Sequence, residues 1–195
     1  MLKQQEQNDV LGDFTKRLDK IGIEYMLVGS MALVHYAMPR ATVDIDIVVN
    51  ILPENLSSFV KEFEADYYIP LQNAENAVRQ KRMFNVLNQE TVVKIDCVVL
   101  NNDEFQILAF SRRKKVNYSG DFDVWIISKE DLIISKLIWA KKSGSERQLL
   151  DVAGIIRNGF DENYVGEWIA KLELEEVFAE SKRLLQKNYD ARYDS

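Results

Sequence analysis

A chain of 195 residues, 47% of them hydrophobic, has room for one globular domain and a small second lobe and enough apolar side chains to fill a core. Its formal net charge of -6 disfavours broad, sequence-independent nucleic-acid binding, whose affinity comes from neutralising phosphates, so any such contact must be local. With a lone Cys97, no internal repeat, no apolar run near the roughly 18 residues that cross a bilayer and no apolar signal segment at the start, the expectation is a soluble cytoplasmic protein that makes no disulfide within the chain and needs no membrane.

Taken in order, Val10, Leu11, Phe14, Leu18 and Ile21 recur at helical spacing, predicting an amphipathic helix over about 8–21 that ends near Gly22. Residues 24–28 form a short apolar strand stopped by Gly29, and helical character resumes from Ser30 to Ala37 before Pro39. Residues 42–50 alternate as a strand, with Asp44, Asp46 and Val48 on one face and Val43, Ile45, Ile47 and Val49 on the other, the core face. Pro53 opens a helix to about residue 65 bearing Leu56, Phe59, Val60 and Phe63, and a short helix is expected over 74–81. Residues 83–87 and 91–100 read as a strand hairpin, and 116–118 with 122–127 as a second pairing at the sheet edge.

From residue 128 onward the pattern is helical. Ser128 and Asp131 form a capping box, Gly144 breaks the first helix and Gly159 stops the second, whose stripe is Leu149, Val152, Ile155 and Ile156. Tyr164, Trp168, Leu172, Val177 and Leu184 continue the pattern, and Trp139 and Trp168 read as core residues rather than cofactor contacts. The fold class expected is α/β (α+β): a mixed sheet flanked by helices over 1–127, then a helical lobe over 128–195, with the active site between them on the sheet.

Aspartate is disfavoured in strands, so two of them alternating among Val and Ile need a reason. Side chains two apart on a strand point the same way about 7 Å apart, which lets Asp44 and Asp46 converge on divalent cations. Just upstream, Gly29-Ser30 sits where a strand turns into a helix, a place where the backbone can approach phosphate and the first N–H groups are unpaired; a turn glycine followed by a serine N-cap is the plainer alternative. Two basic clusters, Arg79/Lys81/Arg82 and Arg112 to Lys115, could contact nucleic acid locally or serve as a solvated, aggregation-resistant edge. His35, the one histidine, reads as a packing residue.

Gly29-Ser30, a helix, and then Arg40-Ala-Thr42-Val-Asp44-Ile-Asp46 resemble the signature of the polymerase-beta-like nucleotidyltransferase superfamily, with 13 residues between Ser30 and Asp44. The Arg-x-Thr-x-Asp-x-Asp form is most similar to the small bacterial branch that includes AbiEii-type toxins. The resemblance implies a third carboxylate on a neighbouring strand, Asp96 in Val-Lys94-Ile-Asp96-Cys-Val, as metal ligand and acceptor of the hydroxyl proton; Lys94 on the same face is an alternative, purely neutralising partner for it. It also implies that Lys136 and Asp151 on the later helices, together with Gly29, Ser30, Arg40 and Thr42, contact the nucleotide.

Under this resemblance Asp44, Asp46 and Asp96 hold Mg2+ (or Mn2+), a nucleoside triphosphate such as ATP is the substrate, and nucleoside monophosphate passes to an acceptor hydroxyl with release of pyrophosphate. A toxin-like branch implies RNA as acceptor and an antitoxin protein as possible partner. Related alternatives are a small-molecule (antibiotic) nucleotidyltransferase and a catalytically inactive binding or regulatory partner with the same fold.

Overall fold

The computed structural model describes residues 2–38 and 44–193. The chain divides into two compact units, one formed by Met1–Met31 with Ala41–Ile127 and the other by Ala32–Arg40 with Ser128–Ser195.

The first unit is built on a mixed sheet. Among the described residues its strands are β1 (Tyr25–Leu27), β2 (Asp44–Val49), β3 (Tyr67–Tyr68), β4 (Met83–Asn88), β5 (Lys94–Val99), β6 (Lys114–Tyr118) and β7 (Phe122–Ile126), in the order β3-β4-β5-β2-β1-β7-β6. β2 runs parallel to β5 and β1 parallel to β7, while the remaining pairs are antiparallel. Because side chains alternate along a strand, this register sorts the centre of the sheet into two faces. Phe84, Cys97 and Ile47 line up across β4, β5 and β2 on one face, with Ile45, Ile95, Val49, Val99 and Val86 in the same layer, all buried.

That apolar face is covered by aromatic side chains. Phe14 comes from α1 (Leu2–Lys20), Phe59 and Phe63 from α3 (Leu56–Phe63), and Tyr67 from β3. Phe14 and Phe63 rings lie 4.5 Å apart, Phe59 and Phe63 4.7 Å apart, and Phe59 meets Phe84 edge-on at 5.8 Å. Each such ring, taken wholly out of water, stabilises the fold by about 1.5–3 kcal/mol, so this layer fixes which face of the sheet is left for chemistry. Arg17 lies over Phe63 and Tyr67 and pairs with Asp66 at 2.7 Å, closing the rim of the cluster.

The second unit is helical: the end of α2 (Gly29–Tyr36) with α6 (Lys129–Ser143), α7 (Glu146–Ile156), α8 (Glu162–Leu172) and α9 (Glu175–Tyr193). Ser128 caps α6 by accepting from the Asp131 amide at 3.1 Å, and its hydroxyl donates to the Asp131 carboxylate at 2.6 Å, the capping box expected there. Leu132, Ile133, Leu137 and Ala140 of α6 join Val152, Ile155 and Ile156 of α7 and Val165, Trp168 and Ile169 of α8 as buried core. Trp139 departs from expectation: it is 58% exposed at the margin of α6's buried face, whereas Trp168 is buried. His35 is exposed, edge-on to Tyr36 at 4.9 Å, and so is not packed inside.

Several elements differ from the pattern reading. α1 begins well before residue 8, α4 (Leu71–Gln80) begins before residue 74, and α5 (Glu104–Ser111) and β3 were not anticipated. α5 carries Phe105, Ile107, Leu108, Ala109 and Phe110 in near succession, which hides helical periodicity, although Asp103 caps it by accepting from the Gln106 amide at 2.9 Å. No described helix is long and apolar enough to cross a membrane.

Candidate functional site

Opposite the aromatic layer, the same register gathers charge. Asn85 of β4, Asp96 of β5 and Asp46 of β2 stand directly opposite one another across three adjacent strands. One pleat away, Lys94 of β5 is opposite Asp44 of β2. The three acids that the sequence nominated as metal ligands therefore share one face, with Asp46 and Asp96 at the same level on strands about 4.8 Å apart.

Like charges directly opposite in a sheet are destabilising, and each acid here is held by a specific neighbour. Asn85 donates its amide hydrogen to Asp96 Oδ1, a residue that sequence reasoning missed. Lys94 donates to Asp96 Oδ2 at 3.0 Å and lies 3.5 Å from Asp44 Oδ2, spanning both carboxylates. Burial acts to lower the Lys94 pKa, but the hydrogen bond and charge of Asp96, followed by those of Asp44, outweigh it and raise the pKa above the usual lysine value. Asp96 is 9% exposed, the most enclosed of the three, and Cys97 beneath it is fully buried, its thiol pushed up first by burial and then by the Asp96 charge.

Asp46 is seated against the β1–α2 turn. Val28 donates its amide to the Asp46 carbonyl at 3.0 Å, and Gly29, with φ +65, lies under the carboxylate so closely that a Cβ at this position would stand 2.0 Å from Asp46 Oδ2 and 2.6 Å from its Cγ. Only glycine admits both that backbone angle and that approach. Gly29 opens α2, so the carboxylate rests at the positive end of a helix, which favours an anion there. Ser30 follows, 9% exposed, and Tyr118 donates to the Met31 carbonyl at 3.2 Å, fixing the first turn of α2 to β6.

Arg40 and Thr42 lie outside the described residues. Lys136 and Asp151 are brought together within the second unit: Lys136 donates to Asp151 Oδ2 at 2.7 Å and to Gln148 at 3.2 Å, with both charged side chains 4% exposed. Asp131, fully buried nearby in sequence, accepts from Tyr164 at 2.6 Å. Of the basic clusters, Arg113 is sandwiched between Phe110 at 4.2 Å and Trp125 at 5.1 Å and bonded to Glu24 at 2.6 Å, Lys81 donates to Asn102, and Lys115 lies 3.9 Å from Asp123. These groups have protein partners rather than forming a bare cationic patch.

Carboxylate oxygens are the hard donors that Mg2+ and Mn2+ take, so the donor set of this face suits such an ion. The Lys94 ammonium between Asp44 and Asp96 is a cation already accommodated by two of the acids. Among the described residues no three ligand-type side chains enclose a metal position as they stand. The expected cage is thus unclosed: Lys94 occupies the space between two acids, and the third is turned onto Gly29.

Similar folds occur among solved structures. An antigenic nucleotidyltransferase-like protein from Paracoccidioides brasiliensis shares 18% identity over 90% of this chain and 93% of its own, with a TM-score of 0.56. The lincosamide antibiotic adenylyltransferase LnuA, lincomycin-bound, shares 16% identity over 74% of this chain and 93% of its own, with a TM-score of 0.52. ANT(2")-Ia in complex with adenylyl-2"-tobramycin shares 13% identity over 96% of this chain and 99% of its own, with a TM-score of 0.51. No functionally curated protein matches the chain in sequence. A family model described as "Nucleotidyltransferase of unknown function (DUF6036)" matches residues 5–183, and the chain belongs to that family.

Proposed function

We propose that the protein is a metal-dependent nucleotidyltransferase in which residues 1–127 form the catalytic lobe and 128–195 an accessory helical lobe. The observation that carries this reading is the alignment of Asp46 with Asp96 on adjacent parallel strands, with Asp44 on the same face: mutually repulsive acids that a divalent ion would bring into register. Bound Mg2+ or Mn2+ would supply charge stabilisation at the transferred phosphoryl group and the departing pyrophosphate. Gly29 and Ser30 would hold phosphate oxygens at the start of α2, the positive end of the helix. Asp96, oriented by Asn85, would take the acceptor's proton as the new oxygen–phosphorus bond forms and the bond to pyrophosphate breaks. On the family resemblance, Lys136 and Asp151, paired at 2.7 Å within the helical unit, are assigned to the nucleotide contacts. Arg40 and Thr42 complete the proposed nucleotide contacts.

For the acceptor, a small hydroxylated molecule is the reading we favour over RNA. The net charge of -6 disfavours a polynucleotide, and within the two basic clusters Arg113 and Lys115 face Glu24 and Asp123 while Lys81 donates to Asn102. The likeness to proteins described with lincomycin and with adenylyl-tobramycin points the same way. The test is incubation with each α-labelled triphosphate, Mg2+, and either small polyhydroxylated acceptors or total tRNA. Label on a small acceptor, lost in Asp46→Asn, is expected; label on tRNA would instead establish the toxin-like alternative, and no label with any triphosphate together with no thermal shift on adding Mg2+ and triphosphate would refute nucleotidyl transfer.

A further inference from the structure

We infer that Lys94 is a tethered counter-ion that holds the cation position between Asp44 and Asp96 in the metal-free protein and gives it up when a divalent ion binds. This rests on the metal-dependent reading above and adds to it a residue that governs how readily the site loads.

Three features of the site lead here. First, Lys94 reaches two carboxylates that belong to different strands: Asp44, its register partner on β2, and Asp96, two residues ahead on its own strand. Its ammonium touches Oδ2 of both, at 3.5 and 3.0 Å, and these are oxygens that a hard cation placed between the same acids would take. Second, the opposite oxygen of Asp96 is already bonded by Asn85, so the side available to a cation is the side that Lys94 fills. Third, the lysine is not locked in. Its side chain is 39% exposed, as is 40% of Asp44, so the ammonium can swing into water on its flexible stem without opening the core. A single charge facing three acids leaves the cluster net negative, and a divalent ion in the same place compensates more of it.

A tethered occupant has a thermodynamic signature that a purely structural salt bridge lacks: removing it affects the metal-free state and not the loaded one. Mn2+ binding is to be measured by electron paramagnetic resonance, without nucleotide, on the full chain and on Lys94→Gln, Lys94→Arg and Asp46→Asn. Lys94→Gln is expected to bind Mn2+ about tenfold more tightly, the effect of relieving two partly exposed ion pairs, while Lys94→Arg stays within about twofold of the parent. The melting temperature of Lys94→Gln should fall below the parent's without metal and converge with it at saturating Mn2+.

A second measurement needs no variant. Trace reductive methylation of the parent chain, read by mass spectrometry, should label Lys94 severalfold faster at saturating Mg2+ than without it, since the displaced ammonium enters solvent. Unchanged or weaker Mn2+ binding in Lys94→Gln, or Lys94 labelling indifferent to Mg2+, overturns the inference. If the parent's Mn2+ binding is abolished by Asp46→Asn but untouched by Lys94→Gln, only the counter-ion role fails. If neither the parent nor Lys94→Gln binds Mn2+, the metal-dependent reading falls with it.

Discussion

Gly29 offers the sharpest test of how the site is assembled, because the cost of a single methyl group there can be separated into two parts. The backbone part comes from φ +65, a left-handed conformation that costs an L-residue about 1–2 kcal/mol. The steric part comes from the Cβ itself, which would lie 2.0, 2.6 and 2.8 Å from the Oδ2, Cγ and Cβ of Asp46, so that the carboxylate or the β1–α2 turn must move. Overpacking of this kind costs roughly another 1–3 kcal/mol. Gly22 supplies the control: its φ is +70, but nothing lies within 4 Å of the position a Cβ would take. Gly22→Ala should therefore lose only the backbone part, about 1–2 kcal/mol, and Gly29→Ala roughly 2–5 kcal/mol in all. Urea unfolding of both variants measures the difference, and Mn2+ binding by Gly29→Ala should weaken in parallel, because the displaced group is a proposed ligand. Equal destabilisation of the two variants, with Mn2+ affinity of Gly29→Ala intact, would refute the seating of Asp46 on Gly29.

Breaking the buried Lys136–Asp151 pair with Lys136→Met strands a carboxylate that is 4% exposed, so urea unfolding should show a loss of about 3–5 kcal/mol, largely restored by adding Asp151→Leu. Tyr164→Phe removes the 2.6 Å donor to the buried Asp131 and should cost about 1–3 kcal/mol in the same assay. Burial pushes the Tyr25 and Tyr118 hydroxyls up to about 12, so the folded state holds these protons more tightly than the unfolded chain. Stability from this source is fully present below pH 10 and is lost as pH rises from about 10 through 12, so tyrosinate absorbance and loss of circular dichroism should appear together in that window. Cys97, buried and with its thiol pushed up, should react with Ellman's reagent only as fast as the chain unfolds.

Strand patterning made much of the sheet unit legible. The alternation in β2 separated Ile45, Ile47 and Val49, which are buried, from Asp44 and Asp46, which are not, because a two-residue period admits only one assignment of faces. Helix stops at Gly22 and Gly144 and the Ser128 cap were equally plain, each being a local backbone requirement written in a single residue. α5 was not, since an almost continuous apolar run has no period to detect, and β3, two residues long, carries too little pattern to register. Trp139 misled for a different reason: composition ranks tryptophan among core residues, but the margin of a helix's buried face is set by which neighbours reach it, a tertiary fact.

Within the site the same boundary separates what was visible from what was not. Asp44, Asp46 and Asp96 stood out because an acid in a β-rich run is costly without a partner, a property of each segment alone. Asn85 did not stand out, since a polar residue at alternate positions of a strand is ordinary; its role appears only once β4 is set against β5 with Asn85 opposite Asp96. Lys94 was ambiguous in sequence for a related reason: neutralising one acid or bridging two depends on whether β2 lies beside β5 and in which register. The parallel pairing that puts Asp44 opposite Lys94 and Asp46 opposite Asp96 turns a lysine near one carboxylate into a cation held by two. A shift of one residue in that pairing would point the lysine and an aspartate to opposite faces, so the apolar layer of Phe84, Cys97 and Ile47 that fixes the register also fixes the electrostatics on the other side.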